Sequence, residues 1–360
     1  MSVLLKDVAE KVNMSITTVS LVLNGKPVRV SEKKRRLILK TASEMDYKPN
    51  QAAQSLVTKK TMTIGLIIPD ICNLFFSEFV KFVGEKLKAQ NYYLLLCNSN
   101  HFVDEEINQM ELLRMKSVDG MLVIFSDTNA DKYVGELEKL KRANIPIVIM
   151  DQFEESLDVK GVGVDDELGG YLATRHLIEN NHTHIACITG PDYAFSSAKR
   201  FAGYCRALED AGIPFNKDYV FKGDFKFASG ELLGAEILKR KEITAVFAEN
   251  DMMALGLYRA MTKAGKRIGK DISIVGFDDI LYTSMLDVPL TTINQNVQDV
   301  AENAVSLLLS MVKNQPLGRE IHYTRPHLVE RDSVARLKKA LTGMKIPVFF
   351  SFVKNFFNFF

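Results

Sequence analysis

The sequence predicts an α/β protein, with an all-α head ahead of two doubly wound parallel-sheet subdomains. Three features lead there. Residues 1–47 hold three amphipathic helical segments and no strand-like run. From residue 63 short apolar runs (TIGLIIP, YYLLLC, GMLVIF, IPIVIM) alternate with amphipathic helical segments, as parallel strands covered by helices on both faces do. About a dozen strands result, more than one sheet usually holds, and the cycle restarts at VGVDD near residue 160. A chain of 360 residues is also too long for one ordinary core.

In the head, the first helix is expected over 5–12 (LKDVAEKV). The second lies in residues 15–26, SITTVSLVLNGK, where Val19, Val22 and Leu23 form one buried stripe and Asn24-Gly25 closes the run. Its other face carries Ile16, Thr17, Ser20, Leu21 and Asn24. The third is expected over 32–46, capped by Ser31, with Leu37, Ile38, Ala42 and Met45 inward. Helix, tight turn, helix within about twenty residues is the layout that places its second helix in the DNA major groove. The amides at that helix's N-terminus, with the hydroxyls of Ser15, Thr18 and Ser20, suit phosphate oxygens. Charge agrees. Residues 1–60 hold twelve lysines and arginines against five acids, a net +7, and the remainder of this +2 chain stands at −5. A basic head on an acidic body fits a polyanion partner for the head.

Lys48-Pro49-Asn50 breaks the head off, and QAAQSLVT follows as a brief helical candidate. In the body the expected strands end at PDICN, SN, DQF, GP, END and DD. In open parallel sheets ligands bind beyond such carboxyl ends, so a site is sought there. The four cysteines have neither CxxC nor metal-ligand spacing and read as buried reduced thiols. His182 and His184 in NNHTHIA read as a structural turn, with no metal and no cofactor expected. No GxSxG, Walker loop or HExxH is present, so the chain is not expected to be an enzyme. The opening MSVLLKDVAEKV turns charged at once and the apolar runs are too short to span a bilayer. A cytoplasmic location is therefore expected.

The run LKDVAEKVNMSITTVSLVLNGK…VSEKKRRLILKTASEMDYKPNQAAQSL resembles the head of the LacI/GalR family of bacterial transcription regulators. The resemblance continues in order through IGLIIPDICNLFF, VDGMLVI, VGVDDELGGYLATRHLIENNHTHIACITGP, FAGYCRAL, ENDMMALGLYRAM, ISIVGFDDI, PLTTI and LVERDS, about residues 4 to 334. It implies a helix-turn-helix domain at 1–49, a hinge helix and linker at 50–61, and an effector-binding and dimerisation domain at 62–335. That domain resembles the periplasmic-binding-protein fold, with subdomains at about 62–162 plus 292–322 and 163–291 plus 323–335. Ile16, Thr17 and Leu21 would read bases, and Ser15, Thr18, Ser20, Asn24 and Ser31 would hold DNA backbone. The hinge helix would enter the minor groove through Ala53, Gln54 and Leu56, the leucine as a wedge that unstacks a base step. Effector contacts carry over to Phe75, Phe76, Asp151, Arg200, Phe225, Asn250 and Asp278. Arg200 offers a donor fork, Asp278 accepts hydroxyls, Asn250 does both, and an aromatic gives a wall for a sugar face, so a carbohydrate is favoured over a nucleobase. Asn250-Asp251 also reads as a helix cap, Asp278 as a turn cap and Arg200 as a surface charge. The chain departs from the family in three places. Leu21 stands where an arginine is usual, Leu4 stands where a threonine usually caps the first helix, and NGKPVRV is one residue longer than usual.

The resemblance implies a repressor of pseudo-palindromic operator DNA, acting as a homodimer and released by a small carbohydrate-like effector. A corepressor or partner-protein mode, in which effector strengthens DNA binding, is the alternative within the class, and a solute-binding protein the alternative outside it. Residues 336–360 leave the family pattern. Their end, IPVFFSFVKNFFNFF, reads as a short apolar docking helix, for a higher oligomer or a groove on the body, with a membrane-surface anchor or a dispensable extension as alternatives.

Overall fold

The structure is a computed structural model that describes residues 3–48, 60–126, 131–150, 160–316 and 321–338. The hinge positions Ala53, Gln54 and Leu56, the strand-tip Asp151 and the apolar tail lie outside the described residues. Contacts divide the chain into two compact units, Met1–Thr61 and Met62–Phe360.

The first unit is three helices, α1 (Leu5–Lys11), α2 (Ile16–Leu23) and α3 (Glu32–Glu44). Val8, Ala9, Val12, Val19, Val22, Ile38 and Ala42 make its core. The Ser15 hydroxyl heads α2 by accepting from Thr18 N at 3.2 Å, and Ser31 heads α3 by accepting from Lys34 N at 3.4 Å. Leu4 cannot cap α1 with its side chain, but its own amide donates to Asp7 Oδ2 at 2.8 Å. One expectation fails. Leu37, expected inward, is 48% exposed. The buried face of α3 is set by Ile38, Thr41 and Ala42, the i, i+3, i+4 stripe, and Leu37 lies about 100° off it.

The second unit holds two parallel sheets. In the larger, the strands run β11-β5-β4-β3-β1-β2. These are β1 (Thr63–Ile68), β2 (Tyr93–Asn98), β3 (Gly120–Ile124), β4 (Ile147–Met150), β5 (Lys160–Val164) and β11 (Ile321–Thr324). Alternation sorts its side chains between two cores. Ile64, Leu66 and Ile68 face α4 (Leu74–Ala89) and α11 (Val297–Val312), whereas Ile67 faces α5 (Val103–Met115) and α6 (Asp131–Arg142). The smaller sheet runs β7-β6-β8-β9, from β6 (Ile185–Thr189), β7 (Val220–Lys222), β8 (Ala245–Ala248) and β9 (Ser273–Val275). One face carries α7 (Asp166–Glu179) and α8 (Phe195–Asp210), the other α9 (Phe227–Ile237) and α10 (Asp251–Lys263).

The restart expected at VGVDD is misplaced. That run is β5, a strand of the first sheet, paired in parallel with β4 and with β11. The expected subdomain limits at 162/163 and 322/323 therefore cut through β5 and β11. The limit at 291/292 shifts too. β10 (Thr292–Asn294) lies against the end of β9, with Gly276 N donating to Thr291 O at 2.9 Å and Asp278 N to Ile293 O at 2.8 Å. The chain thus crosses between sheets after β5, after β10 and after β11. Local periodicity reports that a segment is a strand, not which sheet it joins.

One helix pair bears directly on the cleft between the sheets. Gly170 on α7 and Gly203 on α8 sit where an added Cβ would collide with the other helix's backbone, Arg200 O and Glu167 O respectively. This approach seats Arg200 of α8 against Asp166 at the head of α7. Gly203→Ala is expected to destabilise the chain by about 1–3 kcal/mol, read as a lowered urea midpoint, because backbone rather than a flexible side chain would have to move.

Candidate functional site

On the head, Ile16 and Thr17 are exposed at the first turn of α2, and Leu21 is half-buried one turn on. Ser15 Oγ lies 2.8 Å from Thr18 Oγ1, and Asn24 Nδ2 donates to Ser20 O at 2.8 Å. The side chains expected to hold DNA backbone therefore also brace the two ends of their own helix. Lys33, Lys34 and Arg36 stand exposed on α3.

In the body, a cleft of about 550 Å³, counted out to its open mouth, lies between the carboxyl ends of the two sheets. Phe75, Phe76, Arg200, Phe225, Asn250 and Asp278 all line it. Arg200 is buried, with Nε donating to Asp166 Oδ1 at 2.7 Å and Nη1 to Glu249 O at 2.6 Å. Its guanidinium carbon lies 3.8 Å from the Phe277 ring centre, a cation–π contact that flattens it against the floor. The surface-charge alternative for Arg200 is thereby removed. Asn250 does two jobs in the protein. Its Oδ1 accepts from Met253 N at 2.9 Å, capping α10, and its Nδ2 donates to Phe225 O at 2.9 Å. Phe225 sits at φ 64° and its ring lies over Gly190, where any Cβ would collide with it. Asp278, at φ 121°, accepts from Gln295 Nε2 at 2.6 Å.

Two buried glutamates, neither named by the sequence reading, hold the walls. Glu249 Oε2 accepts from Gly190 N at 2.7 Å and from Ser197 Oγ at 2.5 Å, joining the tips of β6 and β8 to α8. Glu106 does the same in the other subdomain. It accepts from Ser99 Oγ at 3.0 Å, Tyr133 Oη at 2.7 Å, and both the amide and the hydroxyl of Ser126. Burial pushes both carboxyls up, Glu249 to about 8, although their donors act the other way. Asp278 is raised to about 7, chiefly by burial and against the pull of Arg200. Asp251 is raised well above its ordinary value by burial and by the neighbouring Asp278. The Arg200 guanidinium thus bonds Asp166 and the Glu249 carbonyl and lies 4.0 Å from Asp278 Oδ1, all three residues buried.

Sequence reasoning also passed over Gln295, His101, Tyr193, Ser126 and Ser196, which line the cleft. Gln295 had a signal, since it directly follows β10 and so occupies a strand tip. His101 follows Asn100 in a left-handed turn that nothing in the local pattern announces. His182 lies elsewhere, with Nδ1 2.9 Å from Thr244 Oγ1 and Nε2 2.9 Å from Ala335 O. No described helix is long and apolar enough to cross a membrane.

A three-helix head with an outward-facing second helix, joined in one chain to a two-sheet small-molecule cleft, defines a ligand-responsive DNA-binding regulator. Residues 4–50 match the family described as bacterial regulatory proteins, lacI family. Residues 61–331 match periplasmic binding proteins and sugar binding domain of LacI family. The chain belongs to the LacI family of transcriptional regulators. It is 37% identical to the HTH-type transcriptional repressor PurR of Aliivibrio salmonicida, over 92% of this chain and 99% of that protein. It is 38% identical to the repressor of the same name from Aliivibrio fischeri strain ES114, over 93% and 99%. These relatives are named as repressors, not enzymes. Among solved structures it resembles the lac repressor dimer bound to operator and the anti-inducer ONPF, with a TM-score of 0.84 and 27% identity over 93% of this chain and 100% of that one. A LacI family regulator from Enterococcus faecium with bound ribose has a TM-score of 0.69 and 32% identity, over 77% and 100%.

The raised Glu249 carboxyl gives a signed expectation. With a folded pKa near 8 against an ordinary 4.5, the folded state keeps a proton the unfolded chain releases. That stabilisation is complete below about 4.5 and is lost as pH rises through 8. Glu249→Gln, which cannot ionise, should therefore gain thermal midpoint on the native chain between pH 5 and pH 9.

Proposed function

We propose that the chain is a cytoplasmic, dimeric repressor that leaves its operator when a small carbohydrate-like ligand enters the cleft. The observation that carries this is the convergence of Arg200, Asp278, Phe225 and Phe76 on one cavity between two sheets. A ligand bridging the walls favours one relative orientation of the subdomains. That reorientation changes the spacing of the two hinge helices, in which Ala53, Gln54 and Leu56 would meet the minor groove, and the two heads lose their joint grip. The ribose bound to the Enterococcus faecium regulator and the cellobiose bound to CelR support the ligand class. The dimeric state of the lac repressor supports the assembly, as do the exposed apolar residues Leu95 and Leu96 on edge strand β2.

On DNA, Ile16, Thr17 and Leu21 read bases, with Ser15, Thr18, Ser20, Asn24 and Ser31 against the backbone. With no arginine among the three, apolar contact with thymine methyls favours A·T pairs at these positions. Selection from a random duplex pool should return a site with A·T at them, and binding should weaken steeply with salt. Leu21→Arg is expected to move one position toward G by about 1–3 kcal/mol. Failure of the dimer to select any sequence would end the regulator reading. In the effector assay, Asp278→Ala should abolish the ligand-induced rise in thermal midpoint, and a rise that persists unchanged places Asp278 outside the site.

A further inference from the structure

We propose that Asp279, clamped by Arg331, grips the crossover strand β10 through Asn294 and so sets the resting angle between the two subdomains. Asn294 and Asp279 are positioning residues for operator binding, and neither lines the cleft. The inference rests on the proposed coupling of subdomain orientation to the heads.

β10 carries one of the crossings between the sheets and pairs antiparallel with β12 (His327–Val329), Asn294 opposite His327. At the smaller-sheet end, Asp279 lies just beyond β9 and has both carboxylate oxygens bonded. Oδ1 accepts from Arg331 Nη2 at 2.6 Å, and Oδ2 accepts from Asn294 Nδ2 at 2.7 Å. Arg331 is held in turn. Its Nη1 donates to Leu290 O at 2.7 Å and Thr283 Oγ1 at 3.2 Å, and its amide donates to Thr291 Oγ1 at 2.9 Å. At the larger-sheet end, Asn294 Oδ1 accepts from Asn296 N at 2.6 Å, and Asn296 Nδ2 donates to Arg325 O at 2.8 Å. Asn296 heads α11, which packs on the larger sheet, and Arg325 directly follows β11. One line of hydrogen bonds therefore runs from Arg331 through Asp279, Asn294 and Asn296 to Arg325, from one subdomain to the other.

The line is stiff for identifiable reasons. The Asn294 amide is engaged at both ends, so its orientation is fixed. Turning it round would set its oxygen against the Asp279 carboxylate and its NH2 against the Asn296 N–H. The bond to Asp279 is charge-assisted, and the Asp279 and Arg331 side chains are only 14% and 19% exposed, so water competes weakly for them. Asn296 sits at φ 54°, a conformation asparagine tolerates better than most residues, and its side chain bonds Arg325 O instead of capping α11. The two acids of GFDD divide their roles. Asp278 lines the cleft and takes Gln295, whereas Asp279 takes Asn294 outside it. Successive acids thus hold successive residues of the crossover, one within a ligand's reach and one beyond it. The second fixes the orientation that a ligand has to change.

The test is a polarity exchange in the full chain. Asn294→Asp keeps an acceptor for the Asn296 amide but sets a second carboxylate against Asp279. Adding Asp279→Asn restores a donor–acceptor pair with its polarity reversed and still leaves Arg331 an acceptor. Hydrogen exchange at the Asn296 amide, and affinity for the duplex returned by selection, are read well below the thermal midpoint. Asn294→Asp should speed the exchange and shift operator affinity by about tenfold or more each, and the double variant should return both to within about threefold of the native chain. Because the acceptor is kept, faster exchange reports movement of the strand rather than loss of that bond. Should the charged variant fold poorly, Asn294→Ala should shift operator affinity in the same direction. Weaker operator binding supports the inference together with the repressor reading, and tighter binding supports it together with the corepressor alternative. Exchange at the native rate overturns the inference. So does faster exchange with operator affinity unchanged, which reduces the network to a structural brace. A native dimer that selects no sequence ends the regulator reading instead, and the exchange arm alone then decides whether Asp279 holds the crossover.

Discussion

The cleft depends on one buried guanidinium. Arg200 reaches it from α8, bonds Asp166 at the head of α7, bonds the carbonyl of Glu249 at the tip of β8, and lies flat on Phe277 beyond β9. A charge this deeply buried survives only if its surroundings satisfy it, and those partners come from three separate stretches of chain. Satisfying Arg200 therefore fixes the relative positions of the elements that form one wall. The paired glycines Gly170 and Gly203 are the steric condition for it, because they let the two helix backbones meet.

The two walls are held by the same device. In each subdomain a buried glutamate with no cationic partner in its hydrogen-bond set gathers amide and hydroxyl donors from the ends of neighbouring strands and an adjacent helix. Glu106 serves the larger sheet and Glu249 the smaller. Strand tips have unsatisfied backbone and irregular turns, so such a knot is an economical way to make them rigid. Rigid walls matter mechanically. A ligand can rotate one subdomain against the other only if each moves as a body, and under the proposed function the coupling between cleft and DNA would act equally in both directions.

Some of the left-handed backbone at non-glycine residues falls in the cleft. His101, Phe225 and Asp278 all line the cleft with positive φ. Each is held by contacts from elsewhere, Phe225 by Asn250 and Asp278 by Ile293. Strain of this kind persists where surrounding structure over-determines it and side chains must be aimed.

In the head, almost everything was legible locally. Ser15 and Ser31 announced their helices, and the Val19–Val22 stripe left Ile16 and Leu21 facing away from the core. Leu37 was misjudged only because a helix of thirteen residues with mixed apolar positions admits two stripes, and packing selects one. In the body, alternation named the strands and their tips, whereas Arg200, Phe225, Asn250 and Asp278 followed from the resemblance to the family. The sequence by itself determined the secondary structure, the outward face of α2 and the strand-end candidates, because these follow from periods of 2 and 3.6 residues read within short windows. Only tertiary structure decided that VGVDD joins the first sheet, that Asn250 is cap and clasp together, and that Gln295 bonds Asp278. Those outcomes depend on partners far away along the chain, as β11 pairing with β5 and Gln295 meeting Asp278 illustrate, and no local period carries that information.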